Sequence, residues 1–554
     1  MVFIKTNKMR YYMKKTQPRK EKLSIYLVRN ANKKDDEFIK IDKAKNGIEI
    51  KLDGVDYAFL YAKNSFKNTP SWTKLFTHYE HIDADYFGMS SNVGAVFVVR
   101  AFGYAFILSF GSGFHLIKDE EIERDFGLRV TLNSVDPDKL RSLDKASYDH
   151  NPLNSRTQST KDVDIFNLHL DSESELLYAV TGTSLVKEFG SQVTGRDALT
   201  LAVDITLEQL SGILHEAISR YKKKLPDKFS WVENINRVRY QDEIDILDLE
   251  LDDYFSSGRY TNFWLGEPEI VDWEGQVGYS FDMYPRTPRH IILTLDDYIE
   301  YLNGEPISVF RLKGDVIHIN NSDFISTKSW SVYRCLYAEI IFGDVYYILR
   351  NGMWYKINQD FVNSVDEYLV DLSDYDFDFP IYDHEREDIY NDYLCKNYSN
   401  FSLMDKKNIA IGGVYDKLEH CDLIRNGCDF IHVKYYRSSG TLSHLFFQGM
   451  VAAEAFIKDK DYRKKLNPKL PESIRLDDVN SRPNPNKYKV VYAIATVKNL
   501  PQELPFFSKV TLKNTLKTLK ALGYIVSIAR IDISPIILKI KKCKPKKYHL
   551  NNFN

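Results

Sequence analysis

The chain is organised around residues 419–449, which read EHCDLIRNGCDFIHVKYYRSSGTLSHLFFQG. Two strands and a helix are predicted here, with Asp422 in the first strand and the pair His432 and Lys434 in the second. Side chains two residues apart in a strand point to the same face. His432 and Lys434 are therefore expected to project together, while the intervening Val433 faces an apolar interior. No other part of the sequence concentrates so many polar groups on adjacent regular elements.

The predicted helix after the second strand carries His444 and Gln448, which are four residues apart and so lie on one helical face. An acid on one strand, an acid-x-Lys triplet on the next and a glutamine on the following helix form the site pattern of PD-(D/E)XK nucleases. The stretch resembles that pattern, with Asp422 as the first acid and Lys434 as the lysine.

This resemblance implies a defined chemistry. Carboxylates hold one or two divalent cations through their oxygens, the cation lowers the pKa of a water molecule, and the lysine positions that water. The implied catalytic residues are Asp422, His432, Lys434 and Gln448. The implied ligands of Mg²⁺ or Mn²⁺ are Asp422, His432 and Glu387.

His432 departs from the pattern because it stands where an Asp or Glu is expected. Imidazole is a poorer ligand for Mg²⁺ and a better one for Mn²⁺. Three explanations are open: an acid from elsewhere compensates, the metal site is weakened, or the core is an inactive relative. Glu419 would need a bulge to share a strand face with Asp422, so Glu387, from a preceding helix, is the preferred additional ligand.

The composition is that of an ordinary globular protein. Of 554 residues, 44% are hydrophobic and 27% charged, and the formal net charge is −2, so no global field attracts nucleic acid or an anionic membrane. The five cysteines lack CxxC spacing, which argues against disulfide frameworks and Cys-type zinc sites. No apolar run reaches the length of a membrane span. We therefore expect a cytoplasmic protein without a membrane segment, and the sequence leaves its oligomeric state open.

Charge and turn signals divide the chain into four predicted segments. Residues 1–22, with eight Lys/Arg against a single acid, are expected to form a basic flexible arm. A sensor or specificity domain of α+β type is predicted for 23–288, ending at a PRTP linker. A connecting α+β unit is predicted for 289–380. Residues 381–554 are predicted to form a restriction-endonuclease-like core, a mixed sheet flanked by helices, which makes the whole chain an α+β or α/β multidomain protein.

Turn residues and periodicity predict several local elements. The Asn351-Gly352 pair between two β-rich runs predicts a hairpin. The polar stretch 134–165 is expected to be rich in loops, and 172–180 to form a short helix. Residues 384–396 predict an amphipathic helix whose inward side chains are Ile389, Tyr393 and Leu394.

The chain is also similar, over nearly its whole length, to a sporadically distributed, largely uncharacterised bacterial family. The matching stretches are DFGLRVTLNSVDP (125–137), RTQST (156–160), YILRNGMWYKI (347–357), the central stretch from 421 to 449 and LPFFSKVTL (504–512). This resemblance implies no established activity, although a patchy distribution is typical of defence or mobile-element genes. The family favours the triplet HVK at 432–434, which makes the histidine a family trait.

These observations lead to two hypotheses of different kinds. The first is a metal-dependent nuclease that hydrolyses the phosphodiesters of DNA or RNA, with a role in phage or plasmid defence. The alternative is a non-catalytic nucleic-acid-binding or regulatory protein that keeps the core as a platform, and it predicts salt-dependent binding that chelators leave unchanged. A third interpretation makes the acidic segment 366–392 an autoinhibitory mimic of nucleic acid.

Overall fold

A computed structural model describes residues 21–543, except for 70, 78–80, 148–153, 205, 261, 270, 272–275, 285–286, 322–324, 411–416 and 438. The basic arm predicted for 1–22 lies outside the described residues apart from its last two positions, as does the first half of the PRTP linker. Within the described part of the chain, no helix combines the length and the apolar character needed to cross a bilayer.

The chain folds as two compact units, each assembled from several segments. The first unit takes in Met1–Lys145, Ser155–Leu170 and Leu177–Ser230. The second takes in Ala146–Asn154, Asp171–Leu176 and Trp231–Asn554. The domain boundaries predicted at 288 and 380 stay predictions.

The first unit is dominated by strands. They are β1 (Glu21–Leu27), β2 (Ile48–Glu49), β3 (Tyr57–Ala62), β4 (Lys67–Asn68), β5 (Ser90–Ser91), β6 (Gly94–Ala101), β7 (Tyr104–Gly111), β8 (Val135–Ser147), β9 (Asn154–Val163), β10 (Glu175–Ser184), β11 (Gln192–Gly195) and β12 (Leu199–Val203). Its helices are α1 (Asp35–Phe38), α2 (Phe126–Leu132) and α3 (Leu210–Lys222). Apart from the separate pair β4 and β5, the described strands form one sheet in the order β2-β3-β6-β7-β1-β12-β11-β10-β8-β9.

Two sequence predictions in this unit are wrong. Residues 134–165 contain the whole of β8 and β9 where loops were expected, and residues 172–180 lead into β10 where a helix was expected. β9 is the last strand of its sheet, and nearly all its residues are partly or fully exposed. A polar strand at a sheet edge has the composition of a loop, because it has no buried face to require apolar residues.

The second unit mixes helices and strands and confirms the predicted α+β class, with several sheets. Its helices are α4 (Gln241–Ser256), α5 (Leu295–Tyr301), α6 (Val309–Gly314), α7 (Val332–Cys335), α8 (Gln359–Val370), α9 (Glu387–Asn397), α10 (Ser439–Lys458), α11 (Lys460–Leu466), α12 (Phe506–Leu522) and α13 (Pro535–Cys543).

The strands of this unit are β13 (Ile235–Arg237), β14 (Trp264–Leu265), β15 (Gln276–Ser280), β16 (Val316–Asn321), β17 (Ser326–Ser331), β18 (Leu336–Phe342), β19 (Val345–Arg350), β20 (Met353–Ile357), β21 (Ser373–Asp374), β22 (Phe401–Leu403), β23 (Ile409–Ala410), β24 (Lys417–Leu418), β25 (Leu423–Arg425), β26 (Asp429–Tyr435), β27 (Lys489–Ala495) and β28 (Ile525–Ile531). They form sheets in the orders β13-β20-β19-β18-β14, β15-β16-β17 and β21-β28-β27-β26-β25-β22, with β23 and β24 as a separate pair. The hairpin predicted at Asn351-Gly352 is confirmed between β19 and β20, and both residues have the positive φ that a two-residue hairpin turn requires.

The six-stranded sheet β21-β28-β27-β26-β25-β22 contains the two strands of the central stretch, β25 and β26. β26 pairs in parallel with β27 along its whole length, and β27 pairs in parallel with β28. On its other edge β26 pairs antiparallel with β25, which in turn pairs antiparallel with β22. The sheet is therefore mixed, as predicted.

Helices lie on both faces of this sheet because successive side chains of β26 are buried on opposite sides. Val433 and Tyr435 enter a core that includes Tyr390 of α9. From the other face Phe430 packs on Phe456 of α10, with ring centroids 5.5 Å apart. A strand that is buried on both faces consists almost entirely of apolar residues. His432 is an exception at the centre of β26, because it is polar and buried.

Gly449 of α10 provides a test of the packing between this helix and the sheet. A Cβ at position 449 would stand 2.8 Å from Cε1 of Tyr492 and 3.1 Å from Cδ2 of His432, and both side chains are buried. We expect Gly449→Ala to lower the free energy of unfolding by about 1–3 kcal/mol, as overpacking does in a dense core. Urea-induced unfolding measures the change.

Gly212 of α3 is the matched control, since a Cβ there has no neighbour within 4 Å. Ala at this helical position is expected to raise the free energy of unfolding by about 0.5–1 kcal/mol, because glycine loses more backbone entropy on folding. An unchanged or higher stability of Gly449→Ala would contradict the packing described.

Candidate functional site

A polar cavity of about 420 Å³ lies at the end of β26. Four of the predicted site residues line it: Glu387 at the start of α9, Asp422 just before β25, Lys434 of β26 and Gln448 of α10. The fold therefore brings together side chains from three regular elements and one irregular segment. His432 is not among the lining residues.

The short length of β25 explains how two of the acids are fixed. The pairing of β25 with β26 ends at Ile431, so the next two amides on that edge of β26 meet side chains instead of a strand. The amide of Val433 donates to Oδ2 of Asp422 at 2.7 Å, and the amide of Tyr435 donates to Oε1 of Glu387 at 3.1 Å. Buried amides require an acceptor, and here carboxylates supply it.

Three carboxylates converge in the cavity. One oxygen from each of Asp405, Glu419 and Asp422 lies within 4.8 Å of the others, and all three residues are partly buried. The hydrogen-bond donors that reach Glu419 are neutral: the amide of Lys406 on one oxygen and Nε2 of Gln448 on the other, at 3.3 Å. Among the described residues, no cationic side chain is in direct contact with Glu419, so negative charge is concentrated there.

The chain is irregular where it delivers these acids. β25 begins at Leu423, so Asp422 precedes the strand in which it was predicted, and Glu419 lies in the same non-strand segment. Strand alternation does not apply there, and no bulge is needed to bring the two side chains together. Lys406 has a φ of 63°, which is uncommon for a residue with a Cβ, and its amide donates to Glu419.

The electrostatics of the cluster favour a cation. Burial raises the pKa of Asp422 well above its ordinary value, and the negative charges of Glu419 and Asp405 raise it further, against the opposing effect of the Val433 amide. Burial also raises the pKa of Glu419, and Asp405 again contributes. A bound cation offsets the desolvation and repulsion that oppose ionisation of these groups.

Three of the cationic residues that line the cavity contact a different pair of acids. Nζ of Lys434 lies 2.9 Å from Oε2 of Glu387, and Nζ of Lys406 lies 2.6 Å from Oδ2 of Asp388. Arg386 also donates to Asp388, through Nε at 3.0 Å. The cavity thus has a carboxylate cluster beside a zone where positive and negative groups alternate.

His432 lies in the core between β26 and α10 rather than at the cavity. It is 2% exposed, and its ring centroid is 6.0 Å from that of Tyr492. Burial lowers its pKa to about 4, so the imidazole is neutral at pH 7. These contacts do not support the metal-ligand role predicted for His432, which stays a prediction. His444, the other histidine of the central stretch, is exposed on α10.

The sequence-based site lacks several of the residues that line the cavity, including Asp405 and Asn391. Asp405 follows β22, and its amide donates to the carbonyl of Asp422 at 2.9 Å, a contact between distant parts of the chain that no local pattern signals. Asn391 lies one helical turn after Glu387 and is 1% exposed. Its spacing from Glu387 could have identified it, because residues four apart share a helical face.

The residues present fit a hard divalent cation. Mg²⁺ and Mn²⁺ prefer oxygen ligands, and carboxylates are their usual protein donors. Asp405, Glu419 and Asp422 supply three carboxylates at mutual distances that one ion can span. In addition, both amide atoms of Asn391 are buried at this cavity without a protein hydrogen-bond partner among the described residues, which indicates a polar ligand.

The fold and this cavity define an α+β protein with a candidate cation-binding site. The model of a family described as "Family of unknown function (DUF6119)" matches residues 23–532. The chain therefore belongs to that family. No curated protein and no solved structure matches it.

The raised pKa of Asp422 predicts a pH-dependent stability difference. A carboxyl whose pKa is higher in the folded state stabilises the fold below its ordinary pKa of 3.8, and this contribution is lost as the pH rises through the folded-state pKa. Asp422→Asn should therefore gain stability relative to the wild type as the pH rises from about 4 to 8. Thermal unfolding in EDTA measures the difference.

Asp392→Asn, an exposed change on α9, is the control and should track the wild type at every pH. A pH-independent difference between Asp422→Asn and the wild type would contradict the electrostatic description of the cluster.

Proposed function

We propose that this chain is a divalent-metal-dependent nuclease with a restriction-endonuclease-like core in its C-terminal part. The observation that carries the proposal is the convergence of Asp405, Glu419 and Asp422 beside the Lys434–Glu387 ion pair. Three carboxylates and a lysine in one polar cavity match the requirements of metal-assisted phosphodiester hydrolysis. The role in phage or plasmid defence stays a prediction.

The order of elements around the cavity supports the same proposal. α9 supplies a glutamate, the segment before β25 supplies an acid, β26 supplies a lysine and α10 supplies a glutamine. This succession matches the one that the resemblance to PD-(D/E)XK nucleases implies. The acid missing from position 432 is replaced, in this proposal, by Asp405 and Glu419.

Each side chain has a defined task in the proposed reaction. When bound, Mg²⁺ or Mn²⁺ neutralises phosphate charge and lowers the pKa of water. Asp405, Glu419 and Asp422 hold the ion. Lys434 presents its ammonium group to the attacking water or to a phosphate oxygen, and Glu387 holds that ammonium group in place. Gln448 keeps Glu419 oriented through its 3.3 Å hydrogen bond.

The proposed reaction is hydrolysis of one ester bond. The water oxygen forms a bond to phosphorus, and the bond between phosphorus and the leaving ribose oxygen breaks with its electron pair going to that oxygen. One water hydrogen stays on the oxygen that joins the phosphomonoester, the other is lost to solvent, and the leaving oxygen takes up a proton from solvent. No oxidant or further reactant is required.

Cleavage assays with plasmid, single-stranded DNA and RNA in Mg²⁺ or Mn²⁺ test the proposal. We expect cleavage of at least one substrate that EDTA abolishes. Lys434→Ala should lower the rate by about 100-fold or more, since a positioned proton donor or acceptor contributes about that factor. Asp422→Asn should lose cleavage to a similar or greater extent.

His444→Ala is the control because this residue is exposed on the same helix as Gln448; its cleavage rate should match that of the wild type. Failure to cleave any of the substrates, or full cleavage by both Lys434→Ala and Asp422→Asn, would refute the nuclease proposal. Chelator-insensitive nucleic-acid binding without cleavage would favour the alternative of a non-catalytic binding protein.

A second measurement identifies the ligands. Saturating Mn²⁺, at about 100 times its Kd, stabilises a folded protein by about 2.7 kcal/mol, which raises the melting temperature. Asp405→Asn and Glu419→Gln should lose most of this increase, whereas His432→Gln should retain it even if its metal-free stability is lower. If His432→Gln is the only variant that loses the Mn²⁺-induced increase in melting temperature, His432 is the metal ligand and the carboxylates are not.

A further inference from the structure

Asn391 is the most unusual polar residue at the cavity. It lies in the middle of α9, is 1% exposed, and lines the same cavity as the carboxylate cluster. Neither Nδ2 nor Oδ1 has a hydrogen-bond partner among the described residues. Its backbone position is that of a core residue, since the flanking Tyr390 and the nearby Leu394 are both fully buried.

A buried carboxamide without a partner is costly. Leaving a buried donor or acceptor unsatisfied destabilises a protein measurably, while an apolar residue of similar shape at such a position is neutral or stabilising. Leucine has nearly the same shape as asparagine, and Leu394 shows that α9 accommodates leucine at a buried position. A side chain kept polar at this cost is typical of a group that binds something in the cavity.

The chemistry of the carboxamide restricts what it binds. Nδ2 only donates and Oδ1 only accepts, so the side chain needs at least one acceptor for Nδ2 and at least one donor for Oδ1. Phosphate oxygens accept, and water donates. Two cationic residues of the cavity are engaged with acids, Lys434 with Glu387 and Lys406 with Asp388, and Arg437 is exposed rather than buried. Asn391 is therefore the buried donor at this cavity that has no protein partner in the described part of the chain.

We propose that Asn391 is a catalytic residue that binds the substrate phosphate and the attacking water together. Nδ2 donates to a non-bridging phosphate oxygen, and Oδ1 accepts a hydrogen from the water. This arrangement fixes the nucleophile relative to the phosphorus atom, which is the main contribution that positioning makes to a displacement reaction. The assignment rests on the proposed nuclease function and adds to it a residue that neither the sequence pattern nor the carboxylate cluster identifies.

Asn391→Leu and Asn391→Asp test the assignment through binding as well as activity. Inorganic phosphate is titrated into the full chain in the presence of Mg²⁺, and binding is followed by calorimetry and by the melting temperature. Asn391→Leu removes both hydrogen-bonding atoms, whereas Asn391→Asp keeps an acceptor and removes the donor. Asn397→Leu, an exposed position on the same helix, is the matched control.

Both Asn391 variants should bind phosphate about tenfold or more weakly, the equivalent of one lost hydrogen bond to a charged group, while Mg²⁺ still raises their melting temperature. Without ligands, Asn391→Leu should melt about 2–4 °C above the wild type. Cleavage by either variant should fall by about 100-fold, as when one donor to a transition state is removed. Asn397→Leu should bind phosphate as the wild type does.

Wild-type phosphate affinity in both Asn391 variants would overturn the assignment and indicate a structural water at this side chain. So would a lower melting temperature of ligand-free Asn391→Leu, because it would reveal a partner within the protein. Absence of phosphate binding by the wild type overturns it as well. If the wild type binds phosphate through Asn391 but cleaves no nucleic acid, the nuclease proposal fails and the assignment of Asn391 as the phosphate-binding residue stands.

Discussion

The site depends on an unequal pairing of strand β26. One edge is bonded to β27 over seven residues, whereas the other edge is bonded to β25 only as far as Ile431. The amides of Val433 and Tyr435 then take the carboxylates of Asp422 and Glu387 as acceptors. A longer β25 would satisfy the same amides with backbone carbonyls and leave the two acids without an anchor. The end of one strand pairing therefore fixes both Asp422 and Glu387, the ion-pair partner of Lys434.

The charged residues of the cavity form two groups: a cluster of three carboxylates, and the ion pairs made by Glu387 and Asp388. The negative charges of Glu419 and Asp405 add to burial in raising the pKa of Asp422, an effect that a bound divalent cation would offset. Glu387 accepts hydrogen bonds from Lys434 and from the amide of Tyr435, and its predicted role as a metal ligand stays a prediction. This arrangement differs from the PD-(D/E)XK nuclease pattern, in which the acid two residues before the lysine binds metal. His432 is buried and neutral, whereas the three acids lie in irregular segments: Asp405 between β22 and β23, and Glu419 and Asp422 between β24 and β25.

The sequence predicted those features that depend on local chemistry. The Asn351-Gly352 hairpin, the α+β class and the central strand–strand–helix order follow from turn residues and periodicity, and the structure contains them. Predictions that required long-range contacts were incomplete. Asp405 joins the cluster only through the packing of its turn against the segment before β25. On α9, Ile389 and Tyr393 were expected inward but are 46% and 36% exposed, because the inward face is set by Glu387 reaching β26, which no hydrophobicity pattern encodes. The buried residues of α9 are Tyr390, Asn391 and Leu394, and of these only Leu394 was among the side chains expected inward.

The central claim is that carboxylates, and not His432, form the metal site. Anomalous diffraction from crystals soaked in Mn²⁺ tests it most directly, since the ion is located independently of any activity. We predict one anomalous peak between Asp405, Glu419 and Asp422. Its distance to an oxygen of each should be about 2.0–2.2 Å, which is typical of small hard cations bound by carboxylates. A peak at the imidazole of His432 would contradict this prediction. So would Mn²⁺ bound at full occupancy elsewhere in the crystal with no peak at the three carboxylates.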